Sequence, residues 1–183
     1  MKIVSNSQNL QVLFEDNHLI IVNKRPGDIV QGDRTKDTPL VEIVKEYIKI
    51  KYEKPGNVYL GIIHRIDRPT SGIVMFAKTS KALSRMNSMF KNQEVEKLYW
   101  AITQNKPNDK AGKLIHWLRK NPKNNKSTHF LKETNNAKRA VLSYRILKTL
   151  ENYYLLEIKM ESGRHHQIRC QLQAIGCTIK GDI

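Results

Sequence analysis

The fold is decided by the stretch HRIDRPTSG at residues 64–72, which sets one carboxylate between two arginines. The residues before it, 58–63, and those from Gly72 to Ala77 are mostly apolar and predict two core strands. Asp67 then lies on a short connection between strands, where its position is fixed. The residues alone leave two interpretations open: a catalytic carboxylate, or a structural turn with an arginine partner.

Hydrophobic periodicity and turn residues predict the other elements. They are a hairpin of strands 10–14 and 18–22, a helix over about 39–53, a helix capped near Thr79 or Ser80, a strand holding Tyr99, an antiparallel pair 140–146 and 153–158, and a short helix through Ile168 that Gly176 ends. Two exposed loops are expected at 105–112 and 120–136. This order predicts an α+β fold with a mixed, largely antiparallel central sheet and flanking helices.

The composition predicts one basic domain. With 183 residues and 39% hydrophobic side chains, the chain supports one substantial core, so residues 1–183 are predicted to form a single domain. Its 32 Lys and Arg outnumber 17 Asp and Glu, for a net charge of +15. A polyanion is the expected partner, although charge does not separate RNA from DNA or an anionic membrane surface.

The cysteines indicate a reducing compartment. Cys170 and Cys177 are the only two and form no C-x-x-C pair, and we expect no secretory leader, because the first residues show no apolar h-region. We therefore expect free thiols and a cytoplasmic location. No apolar run approaches the roughly 20 residues that a membrane span requires, so no membrane segment is expected.

Four segments together resemble one enzyme family. Residues 64–72 resemble the H-R-L-D-x-x-T-S-G signature of the RluA-type pseudouridine synthases, which isomerise uridine in RNA. Residues 23–27 are similar to the family's N-K-P-x-G turn, 97–101 to its K-x-Y-x-A strand, and 162–169 to its T-G-R-x-H-Q-I-R segment. The matches occur in the family's order and span most of the chain.

The resemblance implies an RNA pseudouridine synthase that needs no cofactor. Asp67 corresponds to the catalytic carboxylate and Arg164 to an arginine that pairs with it, with a phosphate contact as the alternative for Arg164. Tyr99 corresponds to a tyrosine whose ring stacks on the target base and whose hydroxyl is expected to assist a proton transfer late in the reaction. Residue identity leaves open whether Asp67 attacks C1′, attacks the base, or takes the 2′ hydrogen. The target, ribosomal or transfer RNA, is open as well.

The remaining candidates concern substrate binding. Arg65 resembles an arginine that fills the stack vacated by a flipped base, and Ile168 is either a wall under the uracil or a helix core residue. Phosphate contacts are expected from Lys24, Arg25, Arg68 and Arg169, with Lys120, Lys123 and Lys126 forming a peripheral basic arm.

The histidines and the fold class leave other interpretations open. His64, His165 and His166 lack the spacing of a common zinc site, so no metal is expected, and His64 is expected to support the Asp67 turn. A non-catalytic RNA-binding or ribosome-assembly protein on the same fold is the main alternative; an N-glycosidic hydrolase is another.

Relatives usually continue beyond the Gly-Asp element that ends this sequence, which leaves the completeness of the domain open. We expect a monomer without a separate S4-like domain.

Overall fold

The computed structural model describes residues 4–182. In that range the strands are Val12–Glu15 (β1), Leu19–Lys24 (β2), Gly61–Ile62 (β3), Gly72–Ala77 (β4), Leu98–Thr103 (β5), Ala111–Asn121 (β6), Lys126–Phe130 (β7), Lys138–Thr149 (β8) and Tyr154–Met160 (β9). The helices are Leu40–Lys51 (α1), Ser80–Lys91 (α2) and Gln167–Ala174 (α3). These elements group into two compact units, one ending at Glu94 and the other beginning at Val95. No helix in the described part of the chain is long and apolar enough to cross a membrane.

The first unit contains an antiparallel sheet in the order β1-β2-β4-β3. Leu40, Val44 and Ile48 lie on the buried face of α1 and join Val22 and Phe76 of the sheet in one hydrophobic cluster. Helical spacing puts these three side chains on one face, which is why the predicted helix forms here. The pairing of β2 with β4 sets the last residue of β2 opposite the first residue of β4. The end of β2 therefore lies beside the connection that carries the predicted catalytic carboxylate.

Helix α2 confirms the predicted cap. The hydroxyl of Thr79 accepts a hydrogen bond of 3.1 Å from the amide of Ala82, which satisfies one of the first free N–H groups of the helix. Leu83, Met86 and Phe90 then pack on the first unit's second apolar cluster, as their spacing predicts.

The second unit contains an antiparallel sheet in the order β5-β9-β8-β6-β7. Leu172 of α3 packs with Leu142, Leu156 and Ile158 in its buried cluster. The structure confirms the α+β class, the largely antiparallel pairing and the flanking helices, with the strands divided between two sheets. That residues 1–183 form one domain stays a prediction.

Three local predictions are wrong. The loop expected at 105–112 ends before Ala111, where β6 begins. The strand expected over 58–63 is reduced to Gly61 and Ile62, because only these residues pair with β4. A Cβ at Gly61 would lie 2.8 Å from a methyl carbon of Leu83, so glycine leaves room for this side chain of α2. The loop expected at 120–136 contains all of β7. The sequence of β7, KSTHF, has a single large apolar residue and lacks apolar alternation, and it becomes a strand by pairing with β6.

Candidate active site

Asp67 lies half-buried on the connection between β3 and β4. On one side of it, Ile66 packs against the main cluster of the first unit. On the other side, the amide of Thr70 donates a hydrogen bond of 3.0 Å to the carbonyl of Asp67 and closes the turn. His64 supports the same segment, since its Nε2 accepts a bond of 3.2 Å from the amide of Met75 on β4. The carboxylate is therefore mounted on a connection that is held at both ends.

Lys24 is the residue that ties this connection to β2. Its side chain is fully buried, and its Nζ donates to the carbonyl oxygens of Arg25 at 3.0 Å, Asp28 at 2.8 Å and Arg68 at 3.0 Å. The carbonyl of Arg68 also accepts from the amide of Gly27 at 2.8 Å. An ammonium group has three donors, and here all three are used. The expectation that Lys24 contacts phosphate is therefore wrong: its charge is inside the protein.

The charge on Lys24 is balanced by nearby carboxylates. Burial lowers the pKa of Lys24 to about 8, while Coulomb attraction to Asp28 and Asp67 raises that pKa and so opposes the effect of burial. Asp28 itself is buried and accepts a bond of 2.6 Å from the hydroxyl of Ser5.

Three arginines of the first unit also have partners in the protein. Arg25 donates from Nη1 to the side-chain oxygen of Asn9 at 2.9 Å and from Nη2 to the carbonyl of the same residue at 2.9 Å, which favours a structural role. Arg68 forms an ion pair with Asp37, and its side chain is 39% exposed. Arg65 is exposed and donates to the side chain of Gln31 at 3.0 Å. The base-flipping role of Arg65 and the phosphate contact of Arg68 stay predictions.

Tyr99 belongs to the second unit. It lies on β5 opposite Ile158 of β9 and packs, half-buried, against the cluster that Leu156 and Leu172 help to form. The ring thus has a rigid apolar support on one side. Tyr99 alternates with Trp100, which points away from this cluster and is 72% exposed. The predicted stacking of Tyr99 on a base requires such a supported ring and stays a prediction.

Arg164 lies on the turn that precedes α3. Buried Gln167 organises this turn: its Oε1 accepts from the amide of Arg164 at 2.9 Å and from the hydroxyl of Ser162 at 2.8 Å, while its Nε2 donates to the carbonyl of Val141 at 3.1 Å. The Arg164 side chain is exposed, and its Nε donates to the carbonyl of Arg139 at 3.0 Å. Its predicted pairing with the catalytic carboxylate stays a prediction.

The start of α3 holds the other candidates of the second unit. Ile168 packs against the sheet cluster, which favours the helix-core interpretation. Arg169 bonds Asp182 through Nε at 2.7 Å and pairs with it through Nη2 as well. The rings of His165 and His166 stack with centroids 3.7 Å apart. Within residues 4–182 no cluster of three His, Cys, Asp or Glu side chains has the arrangement of a metal site.

Sequence reasoning missed the structural roles of Lys24 and Gln167. A signal for the first was present, because Ile20, Val22 and Lys24 alternate along β2 and the first two are fully buried. Alternation places every second side chain on the same face, so the lysine had to face the core. No comparable signal marked Gln167, since its partners come from β8 and from the turn before α3.

Comparison with known proteins identifies the class. The model of the RNA pseudouridylate synthase family matches residues 18–174, a range that contains Asp67, Tyr99 and Arg164. The chain belongs to this family, and the resemblance seen in the four motifs is confirmed.

Individual relatives agree with this class. The chain is 33% identical over 175 residues to ribosomal large subunit pseudouridine synthase D of Zymomonas mobilis, covering 94% of this chain and 55% of that protein. It is 30% identical over 172 residues to ribosomal large subunit pseudouridine synthase C of Rickettsia conorii, covering 93% of this chain and 54% of that protein. The chain thus spans about half the length of the curated relatives it matches.

Solved structures share the fold. Human RNA pseudouridylate synthase domain containing 4 superposes with a TM-score of 0.79 at 25% identity, covering 94% of this chain and 67% of that one. Human RNA pseudouridylate synthase domain containing 1 superposes with a TM-score of 0.78 at 18% identity, covering 100% of this chain and 71% of that one. The second likeness supports the fold alone.

Proposed function

We propose that this protein isomerises uridine to pseudouridine in RNA, with Asp67 as the catalytic carboxylate. One observation carries the proposal: the family match includes an aspartate that is held on a fixed connection beside a buried lysine. A solvated surface ion pair needs no such support, whereas a carboxylate that must meet one carbon atom does.

The reaction defines what Asp67 must do. The N1–C1′ bond of uridine breaks, the uracil turns, a C5–C1′ bond forms, C5 loses its proton and N1 gains one. The reaction involves no net oxidation or reduction and consumes no water. In each of the three routes, attack on C1′, attack on the base or removal of the 2′ hydrogen, the ionised carboxylate of Asp67 acts.

We propose RNA of the large ribosomal subunit as the first substrate to test, because two relatives carry that substrate in their names. Transfer RNA is the second. The net charge of +15 supports a polyanionic substrate of either kind. We further propose that the protein acts as a monomer in the cytoplasm; Cys170 and Cys177 support a reducing compartment, because both are free and buried.

The decisive experiment compares the protein with its Asp67→Asn variant on in vitro transcribed large-subunit ribosomal RNA and on a transfer RNA pool. Pseudouridine is read by carbodiimide labelling and primer extension, and free uracil by chromatography. We expect pseudouridine from the unmodified protein, none from the variant, and RNA affinity unchanged within a few-fold. Asparagine is nearly isosteric, so lost binding would not explain lost turnover.

Other outcomes have clear meanings. RNA binding without pseudouridine on either substrate, and without new pseudouridine in RNA from cells that express the gene, would favour the non-catalytic RNA-binding alternative. Release of free uracil would indicate a hydrolase. Full activity of the Asp67→Asn variant would remove this residue from the chemistry.

A further inference from the structure

A second surface of the molecule combines positive charge with aromatic rings. It is formed by β6, β7 and the start of β8, where Trp117 pairs with Phe130 on one side and with Arg139 on the other. Cross-strand partners and residues two positions apart share one side of a sheet, so Arg119 and Lys126 lie on the same side as these three. We call this surface, made of Trp117, Arg119, Lys126, Phe130 and Arg139, the hairpin face.

The charge of this region is not neutralised within the protein. Residues 117–139 contain seven Lys and Arg, and Glu133 is their single acid. Arg119, Lys126 and Arg139 are exposed, and none of them forms an ion pair in the part of the chain that the structure describes. Their charges are therefore available to a ligand.

Elsewhere in the same sheet, three exposed cations do have acidic partners. Lys113 pairs with Glu161, Arg145 with Glu157, and Lys159 with Glu96. The contrast lies within one sheet: three of its basic residues are balanced by glutamates, whereas the three of the hairpin face are not. Unbalanced like charges repel one another and disfavour the folded state, so their clustering indicates a polyanionic ligand.

The aromatic rings indicate which kind of polyanion. The guanidinium carbon of Arg119 lies 4.8 Å from the centroid of the Phe130 ring, a cation–π contact, and Trp117 lies beside it across the strand pair. Both rings are half-buried and therefore partly open to solvent. Cations that alternate with aromatic rings on a sheet bind single strands, because phosphates meet the cations while exposed bases stack on the rings. Bases in a continuous duplex are stacked on each other and do not offer this contact.

We propose that the hairpin face binds an unpaired segment of RNA, with phosphates on Arg119, Lys126 and Arg139 and a base stacked on Trp117 or Phe130. The inference rests on the proposed function, because it assigns a binding surface to the RNA that the enzyme modifies. The hairpin was expected to be a peripheral basic arm that attracts any RNA. Stacking on its aromatic rings would in addition select unpaired bases.

Binding is tested with the full chain and a fluorescein-labelled decamer of uridine, over a series of salt concentrations. The variant Arg119→Gln, Lys126→Gln, Arg139→Gln is compared with Lys113→Gln, Arg145→Gln, Lys159→Gln, which removes the same charge from the same sheet. We expect the first to lower the log-log salt slope by about 2, at roughly 0.7 per phosphate contact, and the second to leave the slope nearly unchanged. Equal effects of the two variants would overturn the proposal, because general charge would then explain binding.

Stacking has a direct optical test. The protein has two tryptophans, so Trp100→Phe leaves Trp117 as the single indole and Trp117→Leu leaves Trp100. Saturating decamer should quench the emission of Trp117 and leave that of Trp100 unchanged. Phe130→Leu keeps the apolar volume and should weaken binding about tenfold. Thermal melting of each variant shows whether it is folded, and Trp117 quenching in the protein with Phe130 intact tests stacking even if Phe130→Leu does not fold.

The preference for unpaired RNA is tested with a twelve-base-pair RNA duplex. We expect weaker binding of the duplex and no quenching of Trp117. Quenching of Trp100 alone, or equal sensitivity of duplex and decamer to the hairpin-face variant, would overturn the inference. An acidic protein that competes for the face without quenching Trp117, while the decamer does not bind there, would also overturn it.

The two proposals fail in different ways. If the hairpin-face variants bind the decamer normally while the unmodified protein forms pseudouridine, this inference is wrong and the proposed function stands. If binding depends on the hairpin face but no RNA is modified, the surface is correct and the isomerase assignment is wrong.

Discussion

The ammonium group of Lys24 donates a hydrogen bond of 3.0 Å to the carbonyl of Arg68, the residue that follows Asp67. A cation buried in the first unit is thereby bonded to the backbone of the segment that carries the catalytic candidate. Two more bonds, to the carbonyls of Arg25 and Asp28, connect the turn after β2 to the same group. Lys24 is a positioning residue: it acts through the connection on which Asp67 is mounted.

Lys24→Met should lower both stability and turnover. Methionine has a similar length but no donors, so three carbonyls each lose one hydrogen bond inside the protein, and we expect a loss of about 2 to 4 kcal/mol in unfolding free energy. Urea denaturation measures this loss, and single-turnover kinetics on saturating RNA measure the chemical step in the fraction that stays folded. RNA affinity should hold within a few-fold, because the group is fully buried.

The matched control for this substitution is Lys49→Met on the exposed side of α1. It removes the same charge, and we expect it to change stability by less than about 0.5 kcal/mol. If Lys24→Met instead behaved like the control in stability and weakened RNA binding alone, the lysine would contact RNA and its buried position would be wrong.

Substitutions of Tyr99 distinguish its stacking on the target base from a role in proton transfer. Tyr99→Phe keeps the ring that β5 supports, so binding of substrate RNA should persist; a slower chemical step in that variant would show that the hydroxyl moves a proton. Tyr99→Ala should impair both binding and chemistry. Single-turnover rates at saturating RNA decide the matter, with Trp100→Phe on the opposite side of the same strand as the control. Wild-type rates for Tyr99→Ala would exclude this residue from the reaction.

Arg164→Met tests the predicted partnership with the catalytic carboxylate. Loss of one preorganised electrostatic partner should slow the chemical step by about 10² to 10³ at saturating RNA. Arg145→Met is the control, because it removes an exposed arginine of the same unit that pairs with Glu157. Weaker RNA binding with an unchanged saturated rate would place Arg164 among the RNA contacts, next to Arg139, whose carbonyl it already bonds.

The pKa of Glu15 predicts how the free energy of unfolding depends on pH. Burial raises its pKa, but hydrogen bonds from Lys51, Lys78 and Tyr52 outweigh burial and lower the pKa from 4.5 to about 2. A carboxylate whose folded pKa is depressed contributes stability above its unfolded pKa and loses it as protons bind. Unfolding free energy should therefore fall between about pH 4.5 and pH 2, by about 2 kcal/mol after allowance for the exposure of Lys51.

The control for Glu15 is another glutamate of the first unit. Glu15→Gln should lower stability at pH 7 and flatten the acid limb of the stability curve. Glu46→Gln removes an exposed carboxylate of α1 and should do neither. Denaturant unfolding from pH 2 to pH 7 makes the comparison; an unchanged acid limb in Glu15→Gln would contradict the assigned pKa.

Elements with strong local signals were predictable. The buried stripe of α1, the Thr79 cap of α2 and the antiparallel pair of β8 and β9 follow from residues that are close in the sequence. The strand Lys126–Phe130 was not predictable, because its sequence lacks apolar alternation and it forms a strand only where β6 supplies backbone partners. The two-residue length of β3 likewise depends on how much of β4 is available to it.

The sequence by itself determined the family and the identity of the candidate residues, because four motifs in fixed order specify residue types regardless of their environment. It also determined the excess of positive charge. Tertiary structure alone decided which charges are available: Lys24 is enclosed by three carbonyls, Arg145 is balanced by a glutamate, and Arg119 stays open beside Phe130. The physical reason is that burial and pairing depend on partners distant in the chain, and a basic residue has the same letter whether its charge is used for folding or for binding.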